Sequence, residues 1–142
     1  MKYRFFQSPI HGKGCQAIED IKKDELISLE PMIKLEGNTL GRKSNVRNYV
    51  WASKTKKNIV YLVNGLGSYC NHSTESNLIV RMIEDKLMCE YRAKDDIKKG
   101  DELFVNYGKN WFKARKKVDN SKKKETNIKH NNQNKFNMFL NR

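Results

Sequence analysis

The sequence predicts a small, mostly β domain with irregular loops and few short helices. Three observations predict it. Short β-prone runs bounded by turn residues recur through the first 112 positions, and only one segment carries helical spacing. The apolar residues, 37% of the 142, are few for a compact chain of this length, so they concentrate ahead of a strongly basic C-terminal stretch. Length agrees with one domain.

The elements follow in order. Residues 26–29 (Leu-Ile-Ser-Leu) predict the first clear strand. Ser44 is a fitting N-cap for a helix running through Val46, Tyr49 and Val50, whose spacing places them on one face. Ile59-Val60-Tyr61-Leu62-Val63 predicts a strand, and residues 78–83 and 87–91 predict two more around a hairpin turn at Glu84-Asp85-Lys86. Residues 103–107 supply the last. Two segments echo each other: Ala17-Ile18-Glu19-Asp20-Ile21-Lys22-Lys23 and Ala93-Lys94-Asp95-Asp96-Ile97-Lys98-Lys99, each leading into a strand. Two copies do not make a solenoid. They predict one supersecondary device used twice.

The charge is uneven. The chain carries 29 Lys plus Arg against 16 Asp plus Glu, a net +13, and residues 113–142 alone hold 10 basic and 2 acidic residues. Two readings of residues 113–142 stay open. One is a basic, disordered extension that cannot bury enough apolar surface to fold. The other is a working arm, serving as a nuclear localisation signal or guiding the protein to a polyanion such as nucleic acid.

Several classes are not expected. No run approaches the ~20 apolar residues of a membrane span, and the N-terminus carries no signal-peptide h-region. Cys15, Cys70 and Cys89 are odd in number and widely spaced, which fits an intracellular protein with reduced thiols better than a disulfide framework or a cysteine zinc site. His11, His72 and His130 form no metal-ligand spacing, so no metal is expected.

Three motifs carry chemistry. Ser8-Pro9-Ile10-His11-Gly12-Lys13-Gly14 is a turn in which two glycines allow positive φ or a close backbone approach; it lacks the third glycine and the following helix of a dinucleotide fingerprint. Gly65-Leu66-Gly67-Ser68-Tyr69-Cys70-Asn71-His72-Ser73 sets amide, imidazole and hydroxyl groups among glycines, suited to a purine edge or an amino-acid head group. Gly100-Asp101-Glu102-Leu103-Phe104-Val105-Asn106-Tyr107-Gly108 ends a strand in a tyrosine that can stand at a pocket floor or in the core.

In this order and spacing the motifs, over residues 3–112, resemble the SET-domain protein lysine methyltransferases, and most of all the compact stand-alone SET proteins of large DNA viruses. The chain departs from the family pattern at Ser68, Thr74, Ser76 and Asn106, and no Cys-x-Cys segment follows Gly108. The resemblance implies a SET fold of small sheets over residues 1–112 with a knot-like C-terminal active site. It implies methyl transfer from S-adenosylmethionine to a lysine ε-amine, needing no metal. Gly12, Lys13 and Gly14 would then bracket the methionine part of the cofactor, and Asn71 and His72 would hold its amino group and adenine. Tyr107 would be the catalytic residue, and Tyr49, Val105 and Trp111 would line the substrate channel, closed by Trp111 and Phe112. An aliphatic Val105 predicts that more than one methyl group is admitted.

The implied partner is a protein with an accessible lysine, a histone tail first, in the nucleus or on chromatin (the host nucleus for a viral protein). A homodimer is also implied. Two other readings stay open: a lysine methyltransferase of a non-histone protein, and a catalytically silent chromatin or nucleic-acid binding module.

Overall fold

The structure, a computed structural model, describes residues 1–115. The basic stretch read as an extension lies almost wholly outside the described residues. Nine strands form two sheets. In the first, β1 (Tyr3–Gln7) pairs antiparallel with β2 (Lys13–Ala17), β2 with β9 (Glu102–Val105), and β9 runs parallel to β6 (Asn71–His72). The second sheet is antiparallel throughout, in the order β4 (Val50–Ala52), β5 (Ile59–Val63), β3 (Leu26–Glu36), β8 (Met88–Ala93), β7 (Leu78–Ile83). Among the described residues there are also two short helices, α1 (Leu66–Tyr69) and α2 (Lys109–Ala114).

The predicted mostly β class holds, and so do most of its strands. The strand expected at 26–29 is the start of an eleven-residue β3 that bends at a register shift between Leu26 and Ser28. The hairpin at 84–86 is a 3₁₀ turn closed by Leu87 in the left-handed region, at φ 52°. The helix expected from Ser44 through Val50 is a correction. Ser44 does cap, its hydroxyl accepting from the Val46 N–H at 3.3 Å, but a single 3₁₀ turn, Asn45–Asn48, follows. Val50 instead opens β4, opposite Leu62 of β5. Strand pairing satisfies its backbone better than one more helical turn on a short, polar segment.

The echoed segments meet face to face. Ile21 and Ile97, each 1% exposed, exchange both backbone hydrogen bonds at 2.8 Å. Asp20 accepts the N–H of Lys99 and Asp96 accepts that of Lys23, both at 2.9 Å. Ala17 accepts the N–H of Gly100, and Ala93 that of Asp24. Each turn thus caps the other about a local two-fold.

The core lies between the sheets. Tyr61, Tyr91, Cys89, Val63, Leu66, Leu103 and Val105 are almost fully buried there, contributed by both sheets and α1. In β8 every second residue, Cys89, Tyr91 and Ala93, is buried, and Tyr61 and Val63 of β5 are buried likewise, which fixes the register. Among the described residues no helix is long and apolar enough to cross a membrane, and no three His, Cys, Asp or Glu gather as a metal-binding group.

Candidate active site

The parallel pairing of β6 with β9 assembles the site. It sets Asn71 beside Phe104 and His72 beside Val105, so the chain leaving β9 carries Tyr107 back past His72. Two hydrogen bonds then fix Tyr107. Its N–H donates to Nδ1 of His72 at 2.9 Å, and its hydroxyl donates to the Cys70 carbonyl at 2.6 Å. Accepting at Nδ1 means that this nitrogen carries no proton. Burial pushes the phenol pKa well above its ordinary value of 10, with the Cys70 and Cys15 thiols and Glu102 adding to the shift. Tyr107 is therefore a neutral donor at pH 7.

The Gly12–Gly14 turn is tied to the same place. Nδ2 of Asn71 donates to the His11 carbonyl at 3.0 Å and to Oε1 of Glu102 at 2.8 Å. The other carboxylate oxygen of Glu102 accepts the Ser8 hydroxyl at 2.8 Å, and Ser8 Oγ accepts the N–H of Ile10 at 2.9 Å. Gly14 lies under this network: a Cβ there would stand 2.5 Å from Oε1 of Glu102 and 3.0 Å from Nδ2 of Asn71. Gly12 differs. It takes φ +49°, and no protein atom lies within 4 Å of where its Cβ would be.

An aromatic group closes the C-terminal side. The Tyr107 ring lies 5.2 Å from His72 and 4.8 Å from Trp111, and Phe112 lies 4.8 Å from His72. Trp111 also carries the Arg115 guanidinium 4.3 Å over its ring. Arg115 anchors α2 by donating to the Trp111 carbonyl, to Oδ1 of Asn48 and to the Arg47 carbonyl. Burial, and the like charge of Arg47, lower the pKa of Arg115.

Tyr107 also borders an open cavity of about 1160 Å³. Tyr107, Trp111, Tyr49 and Asn106 line it together with apolar side chains from β4 and β7, including Val50, Leu78 and Met82. Neither the Gly12–Gly14 turn nor Asn71 and His72 line it. Tyr107 thus belongs both to the cavity lining and to the group around His72.

The expected residues are placed as follows. The turn carrying Gly12, Lys13 and Gly14 comes to Asn71 through the His11 and Lys13 carbonyls, the latter 3.5 Å from Asn71 Nδ2. The Asn71 side chain is engaged with protein, so it holds the turn. Tyr49 and Trp111 both line the cavity. Val105 does not: it is 1% exposed in the core, and its carbonyl accepts from Ser73. Its place in the alternation of β9, one step from the partly exposed Phe104, turns it inward. Ser8 and Glu102 had been given no role. Glu102 meets Ser8 across 94 positions of sequence, a contact that no local pattern signals.

A cofactor with a sulfonium and an amino-acid head group fits these residues. The open space over Gly12, the nearby backbone carbonyls and the aromatic rings of His72, Tyr107 and Phe112 suit a cation with an attached purine.

A family model for the SET domain matches residues 12–108. The chain belongs to the SET-domain family. It is 28% identical over 123 residues to the histone-lysine N-methyltransferase EZH2 of Chaetomium thermophilum, covering 75% of this chain and 8% of that relative. The chain thus spans under a tenth of the length of this relative. Its fold resembles that of PFL0690c of Plasmodium falciparum, provisionally described as a histone methyltransferase, with a TM-score of 0.63 and 28% identity over 78% of this chain and 96% of that one. It also resembles an apo Polycomb Repressive Complex 2 from Chaetomium thermophilum, with a TM-score of 0.64 and 25% identity over 80% of this chain and 16% of that one.

Proposed function

We propose that this chain is an S-adenosylmethionine-dependent protein lysine N-methyltransferase. One observation carries the reading: Tyr107 is bonded to His72, beside the Gly12–Gly14 and Asn71 surface, and also lines the cavity. A methyl group passing in line from a donor to an amine requires the two to approach from opposite sides, and holding them so supplies orientation. The first surface would hold S-adenosylmethionine, which supplies an electrophilic methyl group when bound. The cavity would admit the lysine.

The chain's own groups do the rest. The lysine amine must arrive neutral, although its ordinary pKa is about 10.4. Apolar lining and nearby positive charge both disfavour the ammonium form. The phenol of Tyr107, protonated and aimed by the Cys70 carbonyl, orients the amine and is not its base. Trp111 and Phe112 exclude water from the junction.

The description of EZH2 as a histone-lysine N-methyltransferase makes a histone lysine the first substrate to test. A histone substrate would place the protein on chromatin. The experiment is transfer of labelled methyl groups to intact nucleosomes, free histones and a cell lysate, with binding of S-adenosylhomocysteine measured by calorimetry. Label on lysine, with stoichiometric binding, is the expected result. Absence of both overturns the reading.

A further inference from the structure

We propose that the cavity beside Tyr107 selects a target lysine flanked by acidic side chains, and that Arg42, Lys43 and Lys54 read those flanks. This rests on the lysine-transfer reading and specifies a substrate class other than a basic histone tail.

The charge of the lining is of one sign. Arg42, Lys43, Arg47, Lys54 and Arg115 line the cavity, and among the described residues no Asp or Glu does. The sequence concentrates this effect: residues 37–74 hold six cations and not one carboxylate. Arg47 and Arg115 are fixed in place. Arg47 donates to the carbonyls of Gly37 and Gly41 at 3.0 Å and to that of Leu40, and Arg115 holds α2 as described. Arg42, Lys43 and Lys54 are exposed, and among the described residues their side chains meet no carboxylate. Elsewhere Lys2, Lys22, Arg81, Arg92 and Lys98 each lie within 4 Å of one. The nearest acid along the chain from Lys54 by hydrogen bonding, Glu84, takes its backbone N–H and lies outside the lining.

Such a cavity repels an arginine- and lysine-rich peptide over the ~8–10 Å reach of charge at moderate salt. It attracts a peptide whose acidic side chains meet the rim while the lysine stem follows the apolar floor of Val50, Trp51, Leu78 and Met82. The same cations, close to the inserted amine, favour its neutral form. The recess and its apolar floor favour peptide over the phosphate backbone of a duplex, which meets basic surface along a groove it can follow.

The test uses the full chain and three peptides of equal length with one central lysine, flanked by Glu, Gln or Arg. Peptide affinity is read by fluorescence anisotropy and methyl transfer as kcat/KM. The Glu-flanked peptide is expected to bind about tenfold tighter than the Arg-flanked one at about 0.05 M salt, with the gap narrowing as salt rises. The triple variant Arg42→Glu, Lys43→Glu, Lys54→Glu should reverse the order. Equal or tighter binding of the Arg-flanked peptide overturns the proposal, as does an unchanged order in the variant. Displacement of the Glu-flanked peptide by an equal concentration of short duplex DNA also overturns it, by assigning the rim to phosphate. If the affinity order holds but no peptide is methylated, the selectivity stands and the enzyme reading falls. If the Arg-flanked peptide is the better methyl acceptor, the reverse is true.

Discussion

The hydroxyl of Tyr107 donates to the carbonyl oxygen of Cys70 at 2.6 Å. Cys70 immediately precedes β6, the strand that also supplies His72 to the Tyr107 backbone. The phenol is consequently held at both ends, which makes its oxygen a fixed point for chemistry.

Removing that oxygen is the first test. Tyr107→Phe keeps the ring against Trp111 and His72 but leaves the Cys70 carbonyl without this donor. Stability should fall by about 1 kcal/mol, whereas methyl transfer should fall on the order of 10²-fold. Because burial raises the phenol pKa above 10, no rate inflection from this group should appear between pH 6 and 9. Stopped time courses across that range check both statements.

The two glycines of the N-terminal turn should respond differently. In Gly14→Ala the new methyl would press on Glu102 and Asn71, so the Ser8–Glu102–Asn71 network must open. Overpacking of this kind costs about 1–3 kcal/mol, and cofactor binding should weaken with it. Gly12→Ala meets no protein side chain and costs about 1–2 kcal/mol through its left-handed backbone, its methyl entering the space proposed for the cofactor. Denaturant unfolding together with calorimetric binding of S-adenosylhomocysteine separates them. The network predicts the greater combined loss at Gly14.

Acid stability should carry a signature of Glu84. Its carboxylate accepts from the Ser53 hydroxyl at 2.6 Å, the Lys54 N–H at 2.9 Å, and the Thr55 and Tyr61 hydroxyls at 3.0 Å. These hydrogen bonds, that of Ser53 foremost, bring its pKa down from 4.5 to about 2. A group depressed on folding stabilises above its unfolded pKa, and that contribution is lost as pH falls through the folded one. Thermal melts of the wild type should therefore decline between about pH 4.5 and 2, and Glu84→Gln should flatten part of that decline.

Much of this arrangement was legible in the residues. The β-prone run Ile59-Val60-Tyr61-Leu62-Val63 and the run from Leu78 marked strands by residue type, and the repeated Ala-x-x-x-Ile-Lys-Lys pattern marked one device used twice. Order and spacing of Asn71-His72 and Tyr107 located the candidate site. What stayed hidden depended on long-range partners. The two-residue β6 exists only because β9 lies beside it, and β1 and β2 carry too little alternation to stand apart from turn residues. Val50 has helical spacing with Val46, but Leu62 across the strand decides its state. The same holds for Glu102 and Ser8, 94 positions apart, whose contact no local pattern could signal.

The claim that most needs testing is the division of two ligands by Tyr107. A crystal structure of the protein with S-adenosylhomocysteine and a lysine peptide tests it directly. The account predicts the cofactor product against Gly12, Lys13 and His72, and the lysine side chain entering through the cavity lined by Tyr49 and Trp111, with both reaching the Tyr107 hydroxyl from opposite sides. Both ligands on one side of the Tyr107 ring, or a peptide bound away from the cavity, would contradict it.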